Sequence, residues 1–312
     1  MSTEEGPLAL PPFLRVPGAA EVDPGGPSAS RRWTADGIPI LLADPAPWLA
    51  SLGEDVDAPL DRLSFSALAY LSRYLPQLLA PHAPLRKALR FALERHLPAK
   101  ARLAVELGCS VGADLRMLST YAEAVVGIDL AIAGLRAAQT HLDGEPIPFL
   151  RRVEGRSFAT EDPIHLPALD NILVAVGDAY DPPLYPGTVD VVLASNLLDT
   201  VARPLALIAA IDRLLAPGGL LLLTSPFAWN EEITPPEEAL GGGTAEAWAT
   251  LGTAAGLVEL LAGRVPLMPQ LRYEVLEQHD VPWTLREHAR AVTHYDVHVL
   301  VAKKGAADAP PS

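Results

Sequence analysis

Leu103-Ala-Val-Glu-Leu-Gly-Cys-Ser-Val-Gly-Ala-Asp114 reads as a short buried strand that stops in a glycine turn and opens a helix. Val105 and Leu107 are its apolar strand residues, and Glu106 stands at the strand's carboxyl end. Gly108 and Gly112 bracket a turn in which backbone must come close to something. The start of a helix there offers N–H groups that have no partner inside the helix. In an open α/β sheet this is where a nucleotide-like cofactor binds.

A second signal follows. Ala124-Val-Val-Gly-Ile-Asp129 is another short apolar run ending in an acid, and Leu130 to Ala138 continues as a helix. An acid about 20 residues beyond the glycine turn suits a ribose diol. NAD and S-adenosylmethionine both carry one. An NAD site wants G-x-G-x-x-G, which brings backbone against a pyrophosphate. Here the turn is Gly108-Cys-Ser-Val-Gly112, with Ser110 in place of the middle glycine. Glu106 would repel a pyrophosphate, whereas it suits a ligand with a cationic amino-acid end. The turn therefore points to S-adenosylmethionine, with NAD as the other option. A turn that only packs a helix explains neither acid. Gly108, Cys109, Ser110 and Gly112 are expected against the cofactor's amino-acid end, with Asp129 and Leu130 at its nucleoside.

The chain has 312 residues, enough for one large domain or a domain plus a smaller part. Its strongest apolar run, Gly219-Leu-Leu-Leu-Leu-Thr224, has the length of a strand and not of a membrane span. The start, Met1-Ser-Thr-Glu-Glu5, has no apolar signal core, so a cytoplasmic protein is expected. One cysteine, Cys109, excludes an internal disulfide and a cysteine-rich zinc site. A net charge of −14 repels phosphate backbones, and Arg151-Arg152 and Lys303-Lys304 are too short to form a basic face. A small-molecule partner fits this balance, with neither nucleic acid nor membrane. The sequence leaves the oligomeric state open.

Residues 1–60 read as an extension, rich in Pro and Gly at first, with a turn at Asp36-Gly37 and a short strand at Ile38-Pro-Ile-Leu-Leu42. That strand resembles the final strand of small zinc-ribbon proteins that activate some methyltransferases, without their cysteines; simple packing on the main domain is the plainer reading. Residues 61–98 read as two helices forming a cap, from Leu63, Leu68, Leu71 and Leu75 and then Leu85, Leu89, Phe91 and Leu93. Tyr70, Arg73 and Tyr74 on the first could face the site or simply pack. Residues 99–304 alternate strands near 103–107, 124–129, 172–177, 189–194, 218–224, 272–277 and 294–302 with helices near 112–121, 131–143, 203–215 and 244–262. Ala216-Pro-Gly-Gly219 reads as the stop before the fifth strand. The last strand follows the sixth with no long helical pattern, so an antiparallel last strand is expected in a mostly parallel sheet. Residues 305–312 read as a frayed tail.

Further residues at the strand ends could carry chemistry. Asp178, with Ala179 beside it, ends the third strand and could accept the adenine amine, or serve as an ordinary turn residue. After the fourth strand, Asn196 could bond cofactor or substrate. Asp199, one turn after Ser195, could hold a substrate N–H, or favour a helix N-terminus. Phe227 and Trp229 could wall a flat or cationic substrate. Gly241-Gly-Gly243 could hinge a lid. His294, Asp296 and His298 alternate on one face of the last strand; they could ligate a metal, but the polar face of an edge strand is the simpler reading, and no metal is expected. Cys109 has no evident base beside it and is not read as a nucleophile.

With these motifs in place, Glu106-Leu-Gly-Cys-Ser-Val-Gly112, Asp129 and Asp178 resemble the class I S-adenosylmethionine-dependent methyltransferases. Ala194-Ser-Asn-Leu-Leu-Asp-Thr200, Pro217 to Pro235 and Asp280-Val-Pro-Trp-Thr-Leu-Arg-Glu-His288 are similar to the carboxy-terminal methyltransferase domain of ovothiol-biosynthesis enzymes, and more distantly to carnosine N-methyltransferases. The likeness covers residues 100–302. It implies a Rossmann-like class I fold, S-adenosylmethionine as cofactor and an imidazole acceptor, with Asp199 at the ring N–H and Trp229 as a pocket wall. The iron-dependent sulfur-transfer and sulfoxide-lyase regions of the large ovothiol enzymes have no counterpart in this sequence.

Overall fold

The computed structural model describes residues 11–15, 17, 33–241 and 251–306. The run from Ala101 builds a seven-stranded sheet from β1 (Ala101–Leu107), β2 (Ala122–Asp129), β5 (Ile172–Val176), β6 (Val189–Ser195), β7 (Leu215–Ser225), β8 (Tyr273–His288) and β9 (Ala291–Lys304). Their order across the sheet is β5-β2-β1-β6-β7-β9-β8. The pairs from β5 to β7 are parallel, and β9 runs antiparallel to both of its neighbours. This is the Rossmann-like class I arrangement that the sequence implied.

Helices cover both faces because successive strand residues point to opposite sides. Leu103, Val105 and Leu107 of β1, with Leu221 and Leu223 of β7, pack against α6 (Pro204–Leu214) and α7 (Thr253–Leu261). Ala104, Leu220 and Leu222 face the other way, toward α3 (Pro84–His96), α4 (Leu115–Tyr121) and α5 (Ile132–Leu142). No helix among the described residues is long and apolar enough to cross a membrane.

Several elements depart from the sequence reading. The helix expected from residue 112 begins at Leu115, because Gly112 has φ +73°, which is incompatible with a helix. β7 already starts at Leu215, passing through Pro217-Gly-Gly219 with a register irregularity against β6. β8 runs on to His288, well past the expected end at residue 277. A hairpin of β3 (Ile147–Glu154) and β4 (Ser157–Ile164), turning at Gly155, was not foreseen; Pro148 and Pro163 interrupt the alternation that would signal it. The amino-terminal half of the helix expected over 244–262, residues 1–10 and 18–32, and most of the tail lie outside the described residues.

Ile38–Leu42 lies along the outer edge of β5: Ile40 bridges Val176 in parallel, Leu41 N donates to Val176 O at 2.8 Å, and Val176 N donates to Pro39 O at 2.9 Å. It thus covers a sheet edge that would otherwise present unpaired backbone groups. Arg136 of α5 anchors this segment through Asp36 and the Ala58 carbonyl. From α1 (Ala46–Leu52), the Trp48 indole donates to Leu130 O at 3.0 Å. The cap comprises α2 (Phe65–Tyr74), a 3₁₀ turn (Leu75–Leu79) and α3.

Candidate active site

The carboxyl ends of β1, β2, β5 and β6 open onto a cavity of about 750 Å³. Small-molecule sites span roughly 300–1,000 Å³, so there is room for a cofactor together with a small acceptor. The floor is the glycine turn. Gly108 has φ +75°, and a Cβ there would lie 2.8 Å from Leu197 Cδ1, so only glycine fits. Ser110, at the place of the absent middle glycine, also takes a left-handed conformation, with φ +51°. Such strain persists only where the surroundings enforce it. Here Asp129 does so, accepting from Ser110 N at 2.7 Å and from Ala131 N at 2.8 Å.

Acids crowd this rim. Glu106 is 3% exposed and its Oε2 has no hydrogen-bond partner. Burial, and then the Asp114 carboxylate, push its carboxyl well above the usual range, against the pull of Arg86. Arg86 is committed elsewhere: its Nε donates to Asp114 at 2.6 Å and its Nη1 to the Gln77 and Ala80 carbonyls. Burial also raises the Asp129 carboxyl, opposed by its backbone N–H bonds. The Cys109 thiol is raised well above its ordinary value by burial and then by Asp129, so it remains a thiol.

Leu130, Asp178, Ala179 and Asn196 line the same cavity. Asp178 accepts from Tyr180 N at 2.8 Å. Asn196 sits at φ +52° and its Oδ1 accepts from Thr224 Oγ1 at 3.1 Å, which ties the β6 turn to β7. Asp199 is buried in a 3₁₀ turn (Leu198–Thr200) and also lines the cavity. Its two oxygens accept from Ser225 Oγ and Ala228 N, both at 2.8 Å.

The cap supplies a further wall. Tyr70, Arg73, Tyr74 and Gln77 recur at helical spacing along α2 and the 3₁₀ turn, and all four line the cavity. The Tyr70 and Tyr74 rings lie 4.7 Å apart. The Tyr70 hydroxyl shares a 2.5 Å hydrogen bond with Ser110 Oγ, joining the cap to the glycine turn. Facing α2 is the β8–β9 hairpin, with Trp283, Leu285, Glu287 and Tyr295. Sequence reasoning missed Trp283, Leu285 and Glu287 because it ended the sixth strand at residue 277, and Tyr295, on the predicted last strand, was not singled out. The alternation Trp283, Leu285, Glu287 was the available signal.

Phe227 and Trp229 do not line the cavity; Pro226, Ala228 and Asn230 do. Phe227, at φ +50°, packs its ring 5.7 Å from His298, and both aromatics join the core beneath the sheet. The aromatic wall comes from α2 and the hairpin instead. His294, Asp296 and His298 lie on β9, which is an inner strand; β8 is the edge. His294 pairs with Thr284 and His298 with Asp280. Among the described residues no group of three or more His, Cys, Asp or Glu is arranged to hold a metal.

The orphaned Glu106 oxygen, the enforced turn and the acid at the end of β2 fit a cofactor with a cationic amino-acid end and a ribose. Residues 105–223 match the family described as Methyltransferase domain. No curated protein matches the chain. Among solved structures, an S-adenosylmethionine-dependent methyltransferase from Methanosarcina mazei is 18% identical, with 69% of this chain and 97% of that one covered at a TM-score of 0.45. One from Aquifex aeolicus is 15% identical, covering 78% and 100% at 0.45. Phosphoethanolamine N-methyltransferase 1 from Haemonchus contortus, in complex with phosphoethanolamine and S-adenosylhomocysteine, is 13% identical, covering 86% and 51% at 0.48.

Proposed function

We propose that this chain, an S-adenosylmethionine-dependent methyltransferase of class I fold, methylates an imidazole nitrogen of a small histidine or thiohistidine derivative. The observation that carries the acceptor class is the aromatic part of the cavity lining. Tyr70, Tyr74, Trp283 and Tyr295 all line the cavity that the glycine turn floors, which suits a planar ring. The sequence likeness to imidazole methyltransferases points the same way. The acidic balance of the chain favours a small metabolite over a nucleic acid.

When bound, S-adenosylmethionine would supply a sulfonium-activated methyl group for in-line transfer, its S–CH3 bond breaking as the new N–CH3 bond forms and S-adenosylhomocysteine leaving. The chain's own task is mainly alignment. Glu106 would receive the cofactor's ammonium group, Asp129 its ribose hydroxyls and Asp178 its adenine amine. Gly108, Cys109, Ser110 and Gly112 would supply close backbone, with Leu130, Ala179 and Asn196 along the sides. Asp199 would hold the acceptor's distal N–H and balance the charge the ring gains. Its bonds from Ser225 and Ala228 fix the carboxylate in place and leave one lone pair on each oxygen. Incubating the protein with S-adenosylmethionine and a panel of histidine, thiohistidine and histidine dipeptides should give a one-methyl mass gain on one of them. Cofactor binding with no gain across the panel would refute the acceptor.

A further inference from the structure

The cavity is also lined by an ion pair that the chemistry above does not use. Arg73 of α2 contacts Glu287 of β8 through Nη2 and Oε2, and both line the cavity beside the aromatic rings. The pair is partly open to solvent, with side chains 37% and 25% exposed, so it holds the hairpin to the cap only weakly. Arg73 Nε is nonetheless buried and has no hydrogen-bond partner. A guanidinium offers five N–H groups in a rigid fork suited to a carboxylate. Here one edge of that fork meets Glu287, and the Tyr74 hydroxyl lies beside the same guanidinium.

From this geometry we infer that Arg73 and Glu287 form a receptor for a zwitterion: Arg73 takes the α-carboxylate of an amino-acid acceptor and Glu287 its α-ammonium. The inference rests on the methyl-transfer reading above and narrows the acceptor class to free amino acids that carry a ring. The aromatic pairs stand on two walls of the cavity. Tyr70 and Tyr74 lie 4.7 Å apart on α2, and Trp283 and Tyr295 lie 5.4 Å apart on the hairpin. Tyr70 is bonded to the cofactor turn through Ser110, and Arg73 neighbours Tyr74 in the chain. A ring seated among these faces would have its reactive edge toward the turn and its charged tail toward the ion pair. A peptide-bonded histidine lacks one of the two charges and would leave one partner unmatched. Site polar groups left without their partner discriminate strongly against analogues.

The test measures binding to the protein saturated with S-adenosylhomocysteine by calorimetry. The ligands are histidine, phenylalanine and tyrosine, each beside its decarboxylated amine and its deaminated acid. We expect at least one zwitterion to bind tenfold or more tightly than both of its single-charge analogues. Arg73→Gln should remove the preference for the carboxylate, and Glu287→Gln the preference for the amine. Affinity for S-adenosylhomocysteine should stay unchanged in both variants, which also shows that they fold. If every zwitterion binds no better than its analogues, or if both variants weaken all ligands equally, the inference fails. If histidine is silent while another zwitterion binds with this pattern, the imidazole reading falls and the receptor stands.

Discussion

Glu106 is the residue whose state is most sensitive to what fills the cavity. Its raised carboxyl pKa has a clear sign for stability: the contribution is fully present below the ordinary carboxylate pKa and is lost as pH rises through the raised one. Glu106→Gln removes that loss. The ligand-free variant should therefore unfold at higher denaturant than the parent at pH 8, and the gap should close at acid pH. The same change should weaken S-adenosylmethionine roughly ten- to hundredfold, as expected for a lost hydrogen bond between charged groups, measurable by titration calorimetry. Asp199→Asn tests a different role. An amide can still accept from Ala228 N and meet Ser225 Oγ, so the fold is kept. Turnover should drop by tenfold or more while cofactor affinity moves little; equal losses in both would remove Asp199 from the chemistry. Glu106, Asp129 and Asp178 could be found from sequence because each ends an apolar run. Arg73 was noticed on its helix stripe, but nothing in the sequence announced Glu287 as its partner.

At the scale of elements, α5 supports the glycine turn from behind. His141 on this helix is fully buried, and its Nε2 lies 2.9 Å from Val111 O. Burial lowers its pKa to about 4, against the pull of that carbonyl, so the folded ring stays neutral where the unfolded one gains a proton. Stability from this group is present above pH 6.5 and is lost as pH falls from there toward 4. The slope is up to about 1.4 kcal/mol per pH unit. His141→Gln should flatten it, and the difference between the two urea midpoint curves across that window isolates this residue from the titrating carboxylates; parallel curves would exclude the effect. The strand β8 changes character along its length. Its first part is apolar and was recognised, whereas its outer part alternates polar with large residues and contains Pro282, so it passed for a loop. An edge strand tolerates that proline because one side of it needs no partner. The same blind spot hid the β3–β4 hairpin.

Across the whole molecule, the sheet order brings three acid-bearing strand ends, those of β1, β2 and β5, and the Asn196 turn after β6 to one rim, while the cap and the β8–β9 hairpin close over it. Hydrophobic runs, their spacing and the turn residues between them are local properties of a chain. They were enough to establish an alternating α/β fold, the antiparallel last strand and a rim of carboxylates at the cofactor turn. The aromatic lining of the cavity is not local. Tyr74 and Trp283 belong to segments at opposite ends of the sequence, and only the pairing of β9 with β7 and the packing of α2 on β8 bring them into one cavity. The loop at Phe227 and Trp229 shows the reverse: aromatics at a strand's mouth, where a pocket wall was expected, turn inward because the core offers them more apolar contact than the cavity does. Periodicity reports which side of an element is buried, but the neighbour that buries it is chosen by long-range packing, and that choice brought the α2 and β8–β9 aromatics to one cavity.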